Sequence, residues 1–133
     1  MKRQSGPAPL RFATLLFLLL TALPFAARAE VRLVMVEEAG CIWCAKWDRE
    51  IGPIYGKTAE GAAAPLRRVE IGAPPDDIAF ERSLTFTPTF VLVRDGAELA
   101  RIEGYPGADF FWGLLGQMMA EHDVTVEPRG AGG

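Results

Sequence analysis

Apolar residues fall into two periods along this chain, and the change from one to the other marks its elements. Val31-Arg32-Leu33-Val34-Met35-Val36 is a nearly continuous apolar run rich in β-branched residues, the pattern of a buried strand. From Ala45 to Ile51 the period becomes helical, with Trp47 and Ile51 four apart on one face. Gly52-Pro53 is expected to end or kink that helix, and residues 54–60 to resume it. Residues 66–71 (LRRVEI) predict a second strand, closed by Gly72-Ala73-Pro74-Pro75. Asp76 stands where a cap belongs, which predicts a short helix to about Ser83. Thr89-Phe90-Val91-Leu92-Val93-Arg94 is a third strand, Asp95-Gly96 a hairpin turn, and residues 98–103 the returning strand. Phe110, Phe111, Leu114, Leu115, Met118 and Met119 recur at helical spacing over residues 108–121. This order is that of an α/β domain. Its strand–helix–strand unit gives a parallel pair and its hairpin an antiparallel one, in a mixed four-stranded sheet with helices on both faces.

The N-terminus follows a different pattern. A basic head precedes an apolar run at 12–23, Pro24 breaks it, and Ala27-Arg28-Ala29 forms an A-x-A site before Glu30. That is the order of parts in a cleavable secretory signal peptide. The run has 12 residues, whereas a spanning helix needs about 20. The pair Lys2-Arg3 lacks the rest of a twin-arginine signal, and no Cys follows the run to carry a lipid. Residues 1–29 are therefore read as a signal peptide, 30–123 as one domain, and 124–133 as a flexible, Gly-rich tail. The expected location is periplasmic, where disulfides can persist.

Charge is divided along the same boundary. Residues 1–29 carry four bases and no acid, so the remainder holds 10 basic and 17 acidic residues, a net of −7. An acidic domain is unsuited to the phosphate backbone, which excludes nucleic acid as a partner. Two cysteines are too few for a disulfide scaffold.

Both cysteines lie in Cys41-Ile42-Trp43-Cys44, between the first strand and the first helix. Residues three apart share a helix face, so the two sulfurs can meet. A thiol at a helix start sits near free amides and the positive end of the dipole, which favour the thiolate. Lowering a thiol pKa from about 8.5 to about 7 raises its thiolate fraction at neutral pH about fifteenfold. Cys41 is expected to be the exposed nucleophile and Cys44 the buried resolving thiol. The alternatives are a structural disulfide, which gains little from so short a loop, and a metal-handling pair. A closed zinc site needs about four ligands, and the chain offers two thiols and His122, a solvated residue beyond the last helix. A Cu(I) site from the two thiols stays open, although residues 38–40 bring no Met or His to it. No metal or other cofactor is assigned. Trp43 is expected to stand exposed beside the sulfurs and to contact a partner. Glu37 and Glu38 are candidates for moving the proton of Cys44. Pro88, in Thr87-Pro88-Thr89, belongs at a strand start because it cannot donate to a ladder.

A strand, then C-x-x-C at a helix start, then Thr-Pro before a hairpin and a last helix, resembles the thioredoxin family over essentially all of residues 31–121. The resemblance implies a cis bond before Pro88, with the backbone of Thr87 free to pair with a substrate strand. It implies thiol–disulfide exchange, in which Cys41 attacks a partner disulfide and Cys44 releases it. It also implies Gly104 close to the site. Two departures stand out: Ile42-Trp43 replaces the usual Gly-Pro, and Met35 occupies the place of the buried aspartate six residues before the first cysteine. Among exported relatives, Glu37, Gly40, Cys41, Trp43, Cys44 and residues 52–55 are similar to the periplasmic thioredoxin-like proteins of the bacterial sulfur-oxidation (Sox) system. That similarity implies a periplasmic protein-disulfide reductase. Its partners would be a disulfide-containing periplasmic protein such as a Sox carrier, and a membrane thiol donor of electrons.

Overall fold

The computed structural model describes residues 1–3, 5–6 and 27–129. The apolar run at 12–23 and the last four residues lie outside them. Among the described residues, no helix is long and apolar enough to cross a membrane.

Four strands form one sheet in the order β2-β1-β3-β4, where β1 is Val31–Glu37, β2 Leu66–Glu70, β3 Thr89–Arg94 and β4 Ala97–Glu103. β1 pairs with β2 in parallel and with β3 antiparallel, and β3 continues into the hairpin with β4. Leu33, Val34, Met35 and Val36 are all fully buried, because β1 is central and covered on both faces; hence its unbroken apolar run. Asp95 (φ 50°) and Gly96 (φ 79°) make the hairpin turn, as the Asp-Gly pair predicts. At Gly96 a Cβ would also lie 2.7 Å from the carbonyl oxygen of Asp77, so the site admits only glycine without movement.

The helices are α1 (Ile42–Glu50), α2 (Gly52–Tyr55), α3 (Ala59–Ala63) and α4 (Ala108–Glu121). The Gly52-Pro53 break divides α1 from α2, with the proline in the first turn of α2, where a missing N–H costs nothing. One face of the sheet, carrying Leu33, Met35, Phe90 and Leu92, packs against Trp47 and Cys44 of α1, Tyr55 of α2 and Phe111, Leu115, Met118 and Met119 of α4. Val124 is buried in the same core, Val126 packs against it, and Arg129 donates to the carbonyl of Lys57. The chain through Arg129 thus lies against the domain that was expected to end at 123.

The second face departs from expectation. Residues 76–83 form no helix, so among the described residues the mixed sheet carries its helices on one face, not on both as expected. Val34, Val36, Val69, Val91 and Val93 are covered instead by Ile78, Phe80 and Leu84 from an irregular segment. A periodic reading misses this because Ala79 is used as a strand: it bridges Ala97 in parallel, with its N–H to the carbonyl of Gly96 at 2.7 Å. Asp76 is exposed and caps nothing, whereas Asp77 pairs with Arg67 at 2.7 Å.

The same face holds a buried ion pair, Glu98 with Arg101, whose side chains are 1% and 3% exposed. Burial raises the Glu98 carboxyl, but hydrogen bonds from Arg101 and from the Glu81 amide outweigh it and leave it below the ordinary value. A depressed folded-state value means the contribution to stability is complete above the unfolded value of about 4.3 and is lost as pH falls through the folded one. In urea melts between pH 7 and pH 3 the wild type is expected to lose stability more steeply than Glu98→Gln. Parallel curves would mean that Glu98 does not contribute.

Candidate active site

The site is built where β1 ends and α1 begins. Ala39 and Gly40 (φ 80°) turn the chain, and the N–H of Cys41 donates to the carbonyl of Glu38 at 3.3 Å. Cys41 is the N-cap of α1: its backbone is extended and its sulfur accepts from the N–H of Cys44 at 3.1 Å. An amide of the first helical turn therefore points at the sulfur, which favours negative charge there once the pair is reduced. Cys41 and Cys44 form a disulfide with Cα atoms 5.3 Å apart. Cys41 is partly exposed and Cys44 is 5% exposed, in the core with Met35. The asymmetry expected from their places in the helix is present.

Thr87 and Pro88 arrive from the other side. The Thr87–Pro88 bond is cis. Pro88 is buried, and its carbonyl accepts from the N–H of Gly104 (φ 87°) at 2.7 Å. Thr87 donates its hydroxyl to Oε1 of Glu38 at 2.8 Å. The two turns flanking the site are thus joined directly. Trp43 is 49% exposed, with Nζ of Lys46 5.5 Å from its ring centroid, and Ile42 and Phe86 are 72% and 58% exposed. These exposed apolar side chains lie on the segments that carry the disulfide and the cis-proline.

Glu37 and Glu38 line an open groove together with Gly40, Cys41, Cys44 and Asp48. Neither carboxylate is free within it. Glu38 takes the Thr87 hydroxyl, and Glu37 pairs with Arg68 at 2.6 Å. Sequence reading did not find Arg68. It stands opposite Met35 in the β1–β2 register, pairs with Asp48 of α1 as well as Glu37, and lies 5.7 Å from the Trp47 ring centroid. Those carboxylates hold its guanidinium further toward the charged form, the hydrogen bond it donates to Asp48 first, against the opposing effect of burial. Nothing local announces the cluster, since its members come from three elements. Tyr105, just past Gly104, was also missed: it donates to Oε2 of Glu50 at 2.6 Å and so joins the end of β4 to α1. Burial and that carboxylate raise its phenol above the ordinary value.

His122 lies away from the pair, its carbonyl accepting from Arg94. Among the described residues, no group of three or more His, Cys, Asp or Glu side chains is arranged to hold a metal ion.

No family model and no curated protein sequence matches the chain. Among solved structures it is similar to the periplasmic thioredoxin SoxS from Paracoccus pantotrophus, in its reduced form. The two are 48% identical, with a TM-score of 0.68, over 70% of this chain and 99% of that one.

Proposed function

This chain belongs to the thioredoxin family, and on that premise we propose that it is a periplasmic reductant of a partner protein's disulfide, working through Cys41 and Cys44. The family and the C-x-x-C pair make it a thiol–disulfide oxidoreductase; the direction and the partner are the further step. The observation that carries the reading is the division between a capping, partly exposed Cys41 and a buried Cys44.

In the reduced protein the Cys41 thiolate attacks one sulfur of the partner disulfide. A mixed disulfide forms, and the other partner sulfur leaves as a thiolate that takes up a proton. The Cys44 thiol loses its proton and attacks Cys41 Sγ, and the second partner sulfur leaves. Two electrons pass to the partner, whose two sulfurs take up one proton from solvent and one equivalent to that lost by Cys44, and the Cys41–Cys44 disulfide is left. With Met35 in place of an acid that would accept the Cys44 proton, the groove lined by Glu37 and Glu38 is the route we assign to it. The backbone of Thr87, the buried Pro88 and the exposed Trp43 receive the partner's chain around its cysteine. The partner is a disulfide-containing periplasmic protein, and likeness to SoxS supports a carrier of the sulfur-oxidation system. Continued turnover requires a dithiol donor, which we assign to a membrane thiol carrier.

A Cys44→Ala variant, expressed with its export signal and quenched in acid, is expected to carry a defined partner linked to Cys41. A sulfur-oxidation protein in that adduct would place the chain in the system. If Cys41 stays unlinked while a known periplasmic thioredoxin-like control traps its partners, the reductant reading fails.

A further inference from the structure

We propose that the buried Glu98–Arg101 pair is a positioning device for the loop that presents Thr87 to the partner protein. The inference rests on the reading above, that a partner's chain meets the protein along Thr87.

Side chains alternate along a strand, so residues 98 and 101 of β4 should point to opposite faces. They do not, because the register slips between Leu92 and Val93. Leu92 pairs with Ala100 and Val93 with Glu98, which leaves Leu99 as an extra residue. This bulge brings Glu98 opposite Val93 and Arg101 opposite Val91, on the face covered by Ile78, Phe80 and Leu84. There Nε and Nη2 of Arg101 donate to the two carboxylate oxygens of Glu98 at 2.6 and 2.7 Å.

Burying two charges is expensive, and an apolar pair of similar size would cover the same valines. What the charged pair adds is a grip on the neighbouring backbone. The N–H of Glu81 donates to Oε2 of Glu98 at 2.8 Å, and Arg101 donates to the carbonyls of Arg82 and Ser83 at 3.1 and 3.2 Å. Backbone groups of three consecutive residues, Glu81, Arg82 and Ser83, are therefore held by one ion pair. The loop that follows Ser83 is short. Its far end is fixed at Thr89, whose hydroxyl donates to the carbonyl of Phe86 at 2.6 Å, and at Pro88, which accepts from Gly104. Held at both ends, the loop keeps Phe86 turned outward and Thr87 within reach of Glu38. Arg101 touches neither cysteine, so it acts on the partner's docking and not on the reactivity of Cys41.

Arg101→Lys preserves the charge and one contact to Glu98 but cannot reach both carbonyls. With the protein pre-reduced, KM for the insulin disulfide is expected to rise about tenfold with kcat little changed, the scale that misplacement of a binding edge produces. The rate with hydroxyethyl disulfide, which needs the two cysteines but no docking edge, should stay within about twofold. A single Gly inserted between Ser83 and Leu84 leaves the pair intact and uncouples it from the loop; it should raise KM in the same way. That insertion decides the question if Arg101→Lys does not fold. An unchanged KM in the folded variant, or in the insertion variant, would overturn the positioning role. A wild-type protein that reduces hydroxyethyl disulfide but never insulin would instead count against the reductant reading itself.

Discussion

A Cys41→Ser variant is expected to reduce protein disulfides about a thousandfold more slowly than the wild type or worse, while Cys44→Ser should complete the first exchange and stop there. The difference follows from position. Cys41 caps α1 with its sulfur 3.1 Å from the Cys44 amide nitrogen, so that amide and the helix dipole stabilise its thiolate. A serine hydroxyl at the same place is protonated at neutral pH, and its oxygen is a poor nucleophile toward a disulfide. Cys44 cannot substitute, because it is 5% exposed and packs with Met35 in the core. Single-turnover mixing with a disulfide peptide, quenched in acid, separates the two variants. Cys44→Ser should accumulate a one-to-one mixed disulfide at close to the wild-type rate, and Cys41→Ser should form none. Adduct formation by Cys41→Ser would reverse the roles, and adduct formation by neither would leave the helix-capping position without chemical consequence.

The capping place of Cys41 and the burial of Cys44 were legible in the sequence because everything they need is local. A C-x-x-C at a strand–helix junction fixes which sulfur caps and which is buried. Likewise the buried strands β1 and β3, the Asp-Gly hairpin and the helix over residues 108–121 follow from short-range periodicity. The failures are all long-range. The helix predicted at 76–83 gave way to tertiary pairing, since Ala79 bonds to the edge of β4 and Ile78 is needed to cover the valines of the second face. The Glu98–Arg101 pair was invisible for a sharper reason: at period two its members point to opposite faces, and only the bulge at Leu99 unites them. Arg68 carries no signal of its own within the strand expected at residues 66–71. Its contacts with Glu37 and Asp48 depend on the parallel register that sets it opposite Met35, and no pattern within residues 66–71 specifies that register. Glu37 and Glu38 look alike as neighbours in sequence, yet one is tied to Arg68 and the other to Thr87.

The largest stability effect is expected at Trp47. Trp47→Ala should lower the unfolding free energy by about 3–5 kcal/mol, a large part of the roughly 5–15 kcal/mol typical of a domain. Trp47 is fully buried and is the meeting point of the aromatic core, with ring centroids 6.1 Å from Tyr55, 5.4 Å from Phe90 and 5.8 Å from Phe111. Those rings come from α2, β3 and α4, and Trp47 itself from α1, so truncation opens a cavity that no single element can close. Trp47→Phe should cost far less. Its ring keeps the aromatic contacts, and the indole N–H has no hydrogen-bond partner among the described residues, so its removal breaks no bond there. Urea melts of the oxidised proteins would measure both changes. A Phe variant as unstable as the Ala variant would show that the indole's shape, not its apolar area, holds the core. The effect should also reach the site, since Trp47 lies one turn beyond Cys44 on the buried side of α1 and Arg68 packs over its ring. With that anchor gone, α1 keeps its polar ties, Arg68–Asp48 and Tyr105–Glu50, but loses its largest buried side chain, so the Ala variant should bury Cys44 less completely and expose its thiol to alkylation in the reduced protein.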